Sequence, residues 1–246
     1  MIKSDIKNEH TKKVIFTMII IFIIFWVGMN LSIVFGEVRI NYDNITDMIR
    51  DKYQNCIQML GMIVPIVYSL AFYGMFTFDE KHIIVRYGKR RYGKLQTHNI
   101  TFFSVIFAVQ YMLIDLIFMS IFSDISVLIN SFYYVFMLLK FIMLVLFLNL
   151  IGMTLYSLKN ILSCSSIYVV IGSMLYVLWT GLYYVIYTES SPAFYMNFAE
   201  SWFLEHTFDT MTYIINLAKL MVASLILKYI GQIVFLKRDI IGNEEN

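Results

Sequence analysis

Six stretches of the chain are apolar on every side of a helical wheel, and each is long enough to cross a bilayer: 14–35, 56–78, 100–122, 132–155, 166–187 and 211–236. Roughly twenty apolar residues in a helix span the hydrocarbon core. At that depth no water bonds a free N–H or C=O, so each stretch is expected to be a helix that satisfies its own backbone. The pattern predicts an all-α polytopic membrane protein with six transmembrane helices, built as one domain over residues 1–246. No internal repeat, low-complexity tract or linker divides it.

Composition agrees with the pattern. Hydrophobic residues make up 59% of the chain and charged residues 15%, where a soluble domain carries roughly 45–50% and about 25%. This excludes a soluble enzyme, a nucleic-acid binder and a disordered protein. The formal net charge of +2 is too small to call for a polyanionic partner. The bias to Ile, Lys, Asn and Tyr resembles proteins of AT-rich bacteria, which predicts a multi-pass protein of the bacterial cytoplasmic membrane.

The placement of charge gives the orientation. Of 19 Lys and Arg, 13 lie in segments 1–13, 79–99, 156–165 and 237–246, and 3 in the alternate loops 36–55, 123–131 and 188–210. By the positive-inside rule both termini are expected in the cytoplasm. The first apolar run is longer than a signal-peptide core and no A-x-A site follows, so a retained first helix is expected. Cys56 and Cys164 then fall on opposite sides of the membrane, and a disulfide between them is not expected.

Loop 188–210 carries Glu189, Glu200, Glu205 and Asp209 without a Lys or Arg. Its Phe194, Phe198, Trp202 and Phe203 recur at helical spacing, which predicts one or two short helices lying in the outer interface. Such an acidic surface attracts cations, and a cationic peptide fits it as cargo or target. Simple positive-inside asymmetry also produces it.

Catalytic patterns are weak. Residues 88–95 read GKRRYGKL, close to a phosphate-binding loop, but Leu95 stands where magnesium ligation needs Ser or Thr. Nor is there room for a nucleotidase before the next span. Intramembrane proteolysis finds neither GxSxG nor HExxH, and Cys164, His82 and His98 lack any activating context. No catalytic residue and no metal site is expected on this chain.

The most informative segment is the loop 79–98, FDEKHIIVRYGKRRYGKLQTH with its flanking Phe78. Asp79 and Glu80 stand at the membrane exit. Ile83, Ile84, Val85 and Tyr87 then lie among Arg86, Lys89, Arg90 and Arg91, punctuated by Gly88 and Gly93. Two readings fit these residues: a docking surface for a partner, or an anchor on anionic headgroups.

Here the chain resembles the type-2 ABC exporter permeases. The likeness covers nearly the whole chain as architecture: six spans, both termini inside, and an acidic-to-basic loop between spans two and three. Its local motif is E-x7-G-K-R-R. The resemblance implies that Glu80 begins a coupling element, that Ile83, Ile84, Arg86, Gly88, Arg90 and Arg91 belong to it, and that it docks on a separate ABC ATPase subunit. It also implies a second permease copy or a paralogue as dimer partner, with ATP and magnesium held by the ATPase and no cofactor here. Small members of this kind export peptides such as bacteriocins or protect their producer from them, so a hydrophobic or cationic peptide is the expected cargo. The chain departs from the family in its N-terminal segment of thirteen residues, where a longer amphipathic helix is usual, and in a short link between spans four and five. The alternative is a stand-alone immunity protein or small secondary transporter, in which the basic loop is an anchor only.

Ionisable groups inside spans are expensive and point to function. Asp115 and Lys140 each lie about eight residues, roughly 12 Å, below the outer ends of spans three and four. An ion pair that fixes the hairpin is the expectation, against independent snorkelling. Asn216 and Lys219 share a face of span six and are expected to look toward a pathway or an oligomer partner.

Overall fold

The computed structural model describes residues 9–36, 40, 45, 63–76, 84–85, 88–162, 167–186, 195 and 208–237, with the side chains of 9, 10, 177 and 179–186 outside that description. Its named elements are all helices: α1 (Glu9–Met29), α2 (Leu31–Val34), α3 (Val64–Phe76), α4 (Lys89–Phe122), α5 (Ile125–Asn130), α6 (Tyr133–Leu162), α7 (Ile167–Ile186) and α8 (Thr210–Lys237). Among the described residues the one extended pairing is a single parallel bridge between Ile40 and Ser123.

Four helices are long and apolar enough to cross a membrane: Thr11–Met29, Lys89–Phe122, Tyr133–Leu162 and Thr210–Lys237. They fall on the first, third, fourth and sixth expected spans. The second and fifth fall on α3, which has 13 residues, and on α7, which runs for 20. Four such helices are the mark of a membrane protein.

Helix limits differ from the hydropathy pattern for local reasons. Expected span three starts at 100, but α4 starts at Lys89 and runs for 34 residues. Lys, Arg, Leu and Gln are good helix formers, so the polar stretch continues the apolar helix rather than breaking it. At about 1.5 Å per residue α4 is about 51 Å long, well beyond a hydrocarbon core of about 30 Å. Hydroxyls within the helices are satisfied locally. Ser69 donates to the Pro65 carbonyl at 2.7 Å, Ser120 to Leu116 at 2.7 Å and Ser224 to Leu220 at 2.8 Å. A hydroxyl that bonds its own helix one turn back exposes no polar group to lipid.

Helix α6 is the centre of the molecule and packs against α8, α4, α7, α3 and α5. Its Phe136, Leu144, Phe147, Leu148 and Ile151 are fully buried. Glycines let the neighbours close in, as small residues do where helices associate without a hydrophobic driving force. A Cβ at Gly152 would stand 2.6 Å from Ile100 Cγ2 of α4 and 2.6 Å from the Tyr68 hydroxyl of α3. One at Gly231 of α8 would stand 2.7 Å from Tyr156 Cδ1 of α6. Helix α1 lies on α4 and α3, with the Phe22 ring edge-on to Phe107 at 4.9 Å. The outward faces remain apolar: Phe16, Ile24, Leu225, Ile226 and Tyr229 are all more than half exposed. Patches of this extent suit lipid or another membrane protein and not water.

Candidate functional site

Two polar regions stand out in the apolar bundle. One is a carboxyl buried between α1, α4 and α6. The other is the basic end where α4 begins and α8 finishes.

Asp115 sits on α4 seven positions before its last residue, Phe122. It is buried, at 6% exposure. The Trp26 indole N–H of α1 donates to its Oδ1 at 2.8 Å, and the Tyr133 hydroxyl of α6 donates to its Oδ2 at 3.1 Å. One carboxyl therefore joins three helices. Trp26 is held flat against Phe118, with ring centroids 4.5 Å apart and planes 24° apart. Asn30 donates from Nδ2 to the Trp26 carbonyl at 2.7 Å, which restrains the turn that carries the indole. Lys140 is on α6, seven positions after Tyr133, and is 2% exposed. The two ionisable groups thus lie on two helices that pack together. A buried charge without compensation is unfavourable, so groups of this kind mark a structural or functional commitment.

The basic end is built from the chain's stops and starts. Ile84 and Val85 form a helical turn, closed by the Gly88 N–H donating to the Ile84 carbonyl at 2.8 Å. Gly88 has φ 77° and ψ 149°, a region open in practice to glycine alone. The Tyr92 N–H then donates to the Gly88 carbonyl at 3.1 Å, and α4 is under way. Ile84 is buried in a small cluster with Tyr92 of α4 and Phe235 of α8, the two rings 5.7 Å apart. Arg90, Arg91 and Lys94 are exposed and Lys89 is half-buried. On the other flank, Lys159 of α6 donates from Nζ to the carbonyl of Phe76, the last residue of α3. A lysine on the last carbonyls of a helix satisfies groups that have no partner within it. Phe76 is therefore tied to α6, and Ile84 to α4 and α8.

Polar side chains continue this joint inward. Gln96 donates to the Tyr92 hydroxyl at 2.8 Å, and Gln232 of α8 donates to Thr97 Oγ1 of α4 at 3.4 Å. Ser157 donates to the Leu227 carbonyl at 2.7 Å, and Asn160 to the Gly231 carbonyl at 3.3 Å. Helices α4, α6 and α8 are thus linked across the same level.

Among the expected site residues, Ile84, Gly88, Arg90 and Arg91 meet at this end, while Glu80, Ile83 and Arg86 lie outside the described residues. Glu189, Glu200 and Glu205 lie outside them as well, as do Phe194, Phe198, Trp202, Phe203, Cys56, Cys164 and His82. Asp209 is described, and it caps α8. Its Oδ1 accepts the N–H groups of Met211 at 3.0 Å and Thr212 at 3.1 Å, and its Oδ2 accepts the Thr212 hydroxyl. The Thr212 hydroxyl, then its backbone N–H, holds this carboxyl below the usual carboxylate range. Asn216 and Lys219 do share a face: Lys219 Nζ is 3.5 Å from Asn216 Oδ1 and 5.2 Å from the centre of the Tyr195 ring. Lys219 is exposed.

Sequence reasoning did not single out Trp26, Tyr133, Tyr92, Phe235 or Lys159. Trp26 and Tyr133 each carry a donor, and an intramembrane Asp needs donors. That need was the available signal. Phe235 had none, since one Phe among 21 is not distinctive.

Among the described residues no cluster of His, Cys, Asp and Glu could hold a metal ion. Comparison with protein-family models, with curated proteins and with solved structures finds no match.

Proposed function

We propose that this chain is the permease subunit of an ATP-driven ABC exporter in the bacterial cytoplasmic membrane. It crosses the membrane six times with both termini inside. Short interfacial helices lie between spans five and six. A separate ABC ATPase supplies hydrolysis, with its own ATP and magnesium. A second copy, or a paralogue, completes a pathway that six helices alone enclose poorly. The cargo is a hydrophobic or cationic peptide, exported or kept away from the cell that makes it. Asp115 and Lys140 form an ion pair that fixes the hairpin of spans three and four, and Lys219 looks toward the pathway or the second copy.

The observation that supports this reading is the seating of Phe76 and Ile84, the described residues on either side of 77–83. Lys159 holds the end of α3, and Ile84 is seated against Tyr92 and Phe235. A partner that pushes on this segment moves α3, α4, α6 and α8 together, which is what a coupling element requires. Glu80, Arg86, Arg90 and Arg91 would then face the ATPase.

A second reading, the stand-alone immunity protein or secondary transporter, is favoured by one feature. Arg90 and Arg91 belong to the continuous helix α4 and not to a separate short helix. In that case the basic turn anchors α4 at the headgroups and does nothing more.

Co-expression with the ABC ATPase encoded nearest to the chain separates the two. The exporter reading expects co-elution in mild detergent, ATPase activity in the complex, and loss of either in Glu80→Ala and in the Arg90→Glu/Arg91→Glu double variant. A chain that elutes alone, whichever encoded ATPase accompanies it, leaves the stand-alone reading.

A further inference from the structure

A groove of about 250 Å³ opens between the first turns of α4 and the last turns of α8. Lys89, Arg90 and Lys94 form its α4 wall, and Tyr229, Ile233 and Leu236 its α8 wall. We infer that this groove is a binding site for one anionic phospholipid, with the phosphate against Arg90 and Lys94 and the acyl chains along Ile233 and Tyr229.

Three observations carry this. The first concerns where the cations are. Lys89, Arg90 and Arg91 occupy the first turn of α4, and no acidic residue shares it. The helix dipole makes this turn the positive end, so cations there destabilise the helix and an anion nearby stabilises it. Gly88 offers no side-chain cap, and the opening N–H groups add to the pull on a phosphate. Arg90 and Lys94, both exposed, are the cations that such an anion would meet.

The second concerns the opposite wall. Tyr229 is 70% exposed, Ile233 46% and Leu236 40%. A site for a free phosphate has no use for an apolar wall. A lipid needs both chemistries in contact, charged at the headgroup and apolar below it. The third is depth. Helix α8 has 28 residues, about 42 Å at 1.5 Å per residue, which matches a bilayer with its headgroup layers at about 40–45 Å. Its last turns, and the first turns of α4 beside them, therefore stand at headgroup level. This inference does not rest on the transport reading.

The test uses the full chain, purified in a zwitterionic detergent without any partner, and measures lipid binding by native mass spectrometry. The probes are phosphatidylglycerol, phosphatidylcholine and glycerol phosphate. Phosphatidylglycerol is expected to bind at least about fivefold more tightly than phosphatidylcholine, since one charge near a basic surface is worth about that much. Arg90→Gln/Lys94→Gln is expected to weaken it about 30-fold, the effect of two such charges. The charge-keeping Arg90→Lys/Lys94→Arg variant retains binding, which separates a lost site from a lost fold. Lys12→Gln/Lys13→Gln removes two exposed charges from α1 and is expected to leave binding unchanged. Equal binding of phosphatidylcholine, equal loss in the Lys12/Lys13 variant, or glycerol phosphate competing as well as the lipid would each overturn the inference.

Discussion

Single side chains decide more here than the apolar background around them. Asp115 accepts two donors from two other helices, Trp26 at 2.8 Å and Tyr133 at 3.1 Å. Removing the carboxyl strands both donors in a dry interior, and each unsatisfied buried group costs about 1–3 kcal/mol. Asp115→Ala should therefore lower thermal stability in detergent by more than Trp26→Phe or Tyr133→Phe, which leave the remaining acceptor with one donor. The proposed pair with Lys140 makes a further demand. Removing one member of a buried pair leaves an uncompensated charge, whereas removing both can be nearly neutral. The Asp115→Asn/Lys140→Met double variant should melt higher than Lys140→Met alone. A double variant with the summed loss of the two single ones rules the pair out. Asp115 and Lys140 were legible in the sequence as polar groups out of place; Trp26 and Tyr133 were not, because at the level of sequence an interfacial aromatic and a buried donor look the same.

At the scale of the element, hydropathy located the helices well and their ends poorly. Helix α8 coincides with the sixth apolar stretch to within one residue at each end, because Asp209 caps its start. By sequence alone Asp209 is one charge of an acidic surface. Its acceptor geometry makes it a helix cap, with the second and third N–H groups of α8 as donors. Helix α4 departs furthest, since hydropathy cannot see a helix continue through polar residues. What stops it is Gly88, a backbone conformation and not a polarity. The cap gives a pH dependence with a definite sign. The folded carboxyl of Asp209 sits below its usual range, so its contribution is complete above the unfolded value and is lost as pH falls through the folded one. Acidification should release the first turn of α8 in the wild type. Asp209→Asn, which caps without titrating, should show no such change. Thermal melts of the two proteins between neutral pH and about pH 3 read the difference, and parallel curves would refute the cap as the titrating group.

For the whole molecule the open question is how often the chain crosses. Helices α1, α4, α6 and α8 are long and apolar enough alone; α7 runs for 20 residues and α3 for 13. The apolar stretches at 56–78 and 166–187 were read from sequence as two further spans, partly on residues outside those the structure describes. The count matters because it sets which side α4 starts on. If α3 crosses, the basic first turn of α4 faces the cytoplasm, where an ATPase and its nucleotide are. If α3 does not cross, the same turn faces outward and no coupling is open to it. The buried centre on α6 and the ties from Lys159 and Ile84 hold in either case.

Two-sided labelling of single cysteines makes the choice directly. With Cys56 and Cys164 replaced by Ser, one cysteine is placed at Arg90 and another, in a separate protein, at Asp124, the residue between α4 and α5. A membrane-impermeant maleimide is then applied to intact cells and to permeabilised ones. The six-span permease predicts that Asp124→Cys is labelled in intact cells and Arg90→Cys only after permeabilisation. The reverse pattern, with Arg90→Cys labelled from outside, would contradict the account.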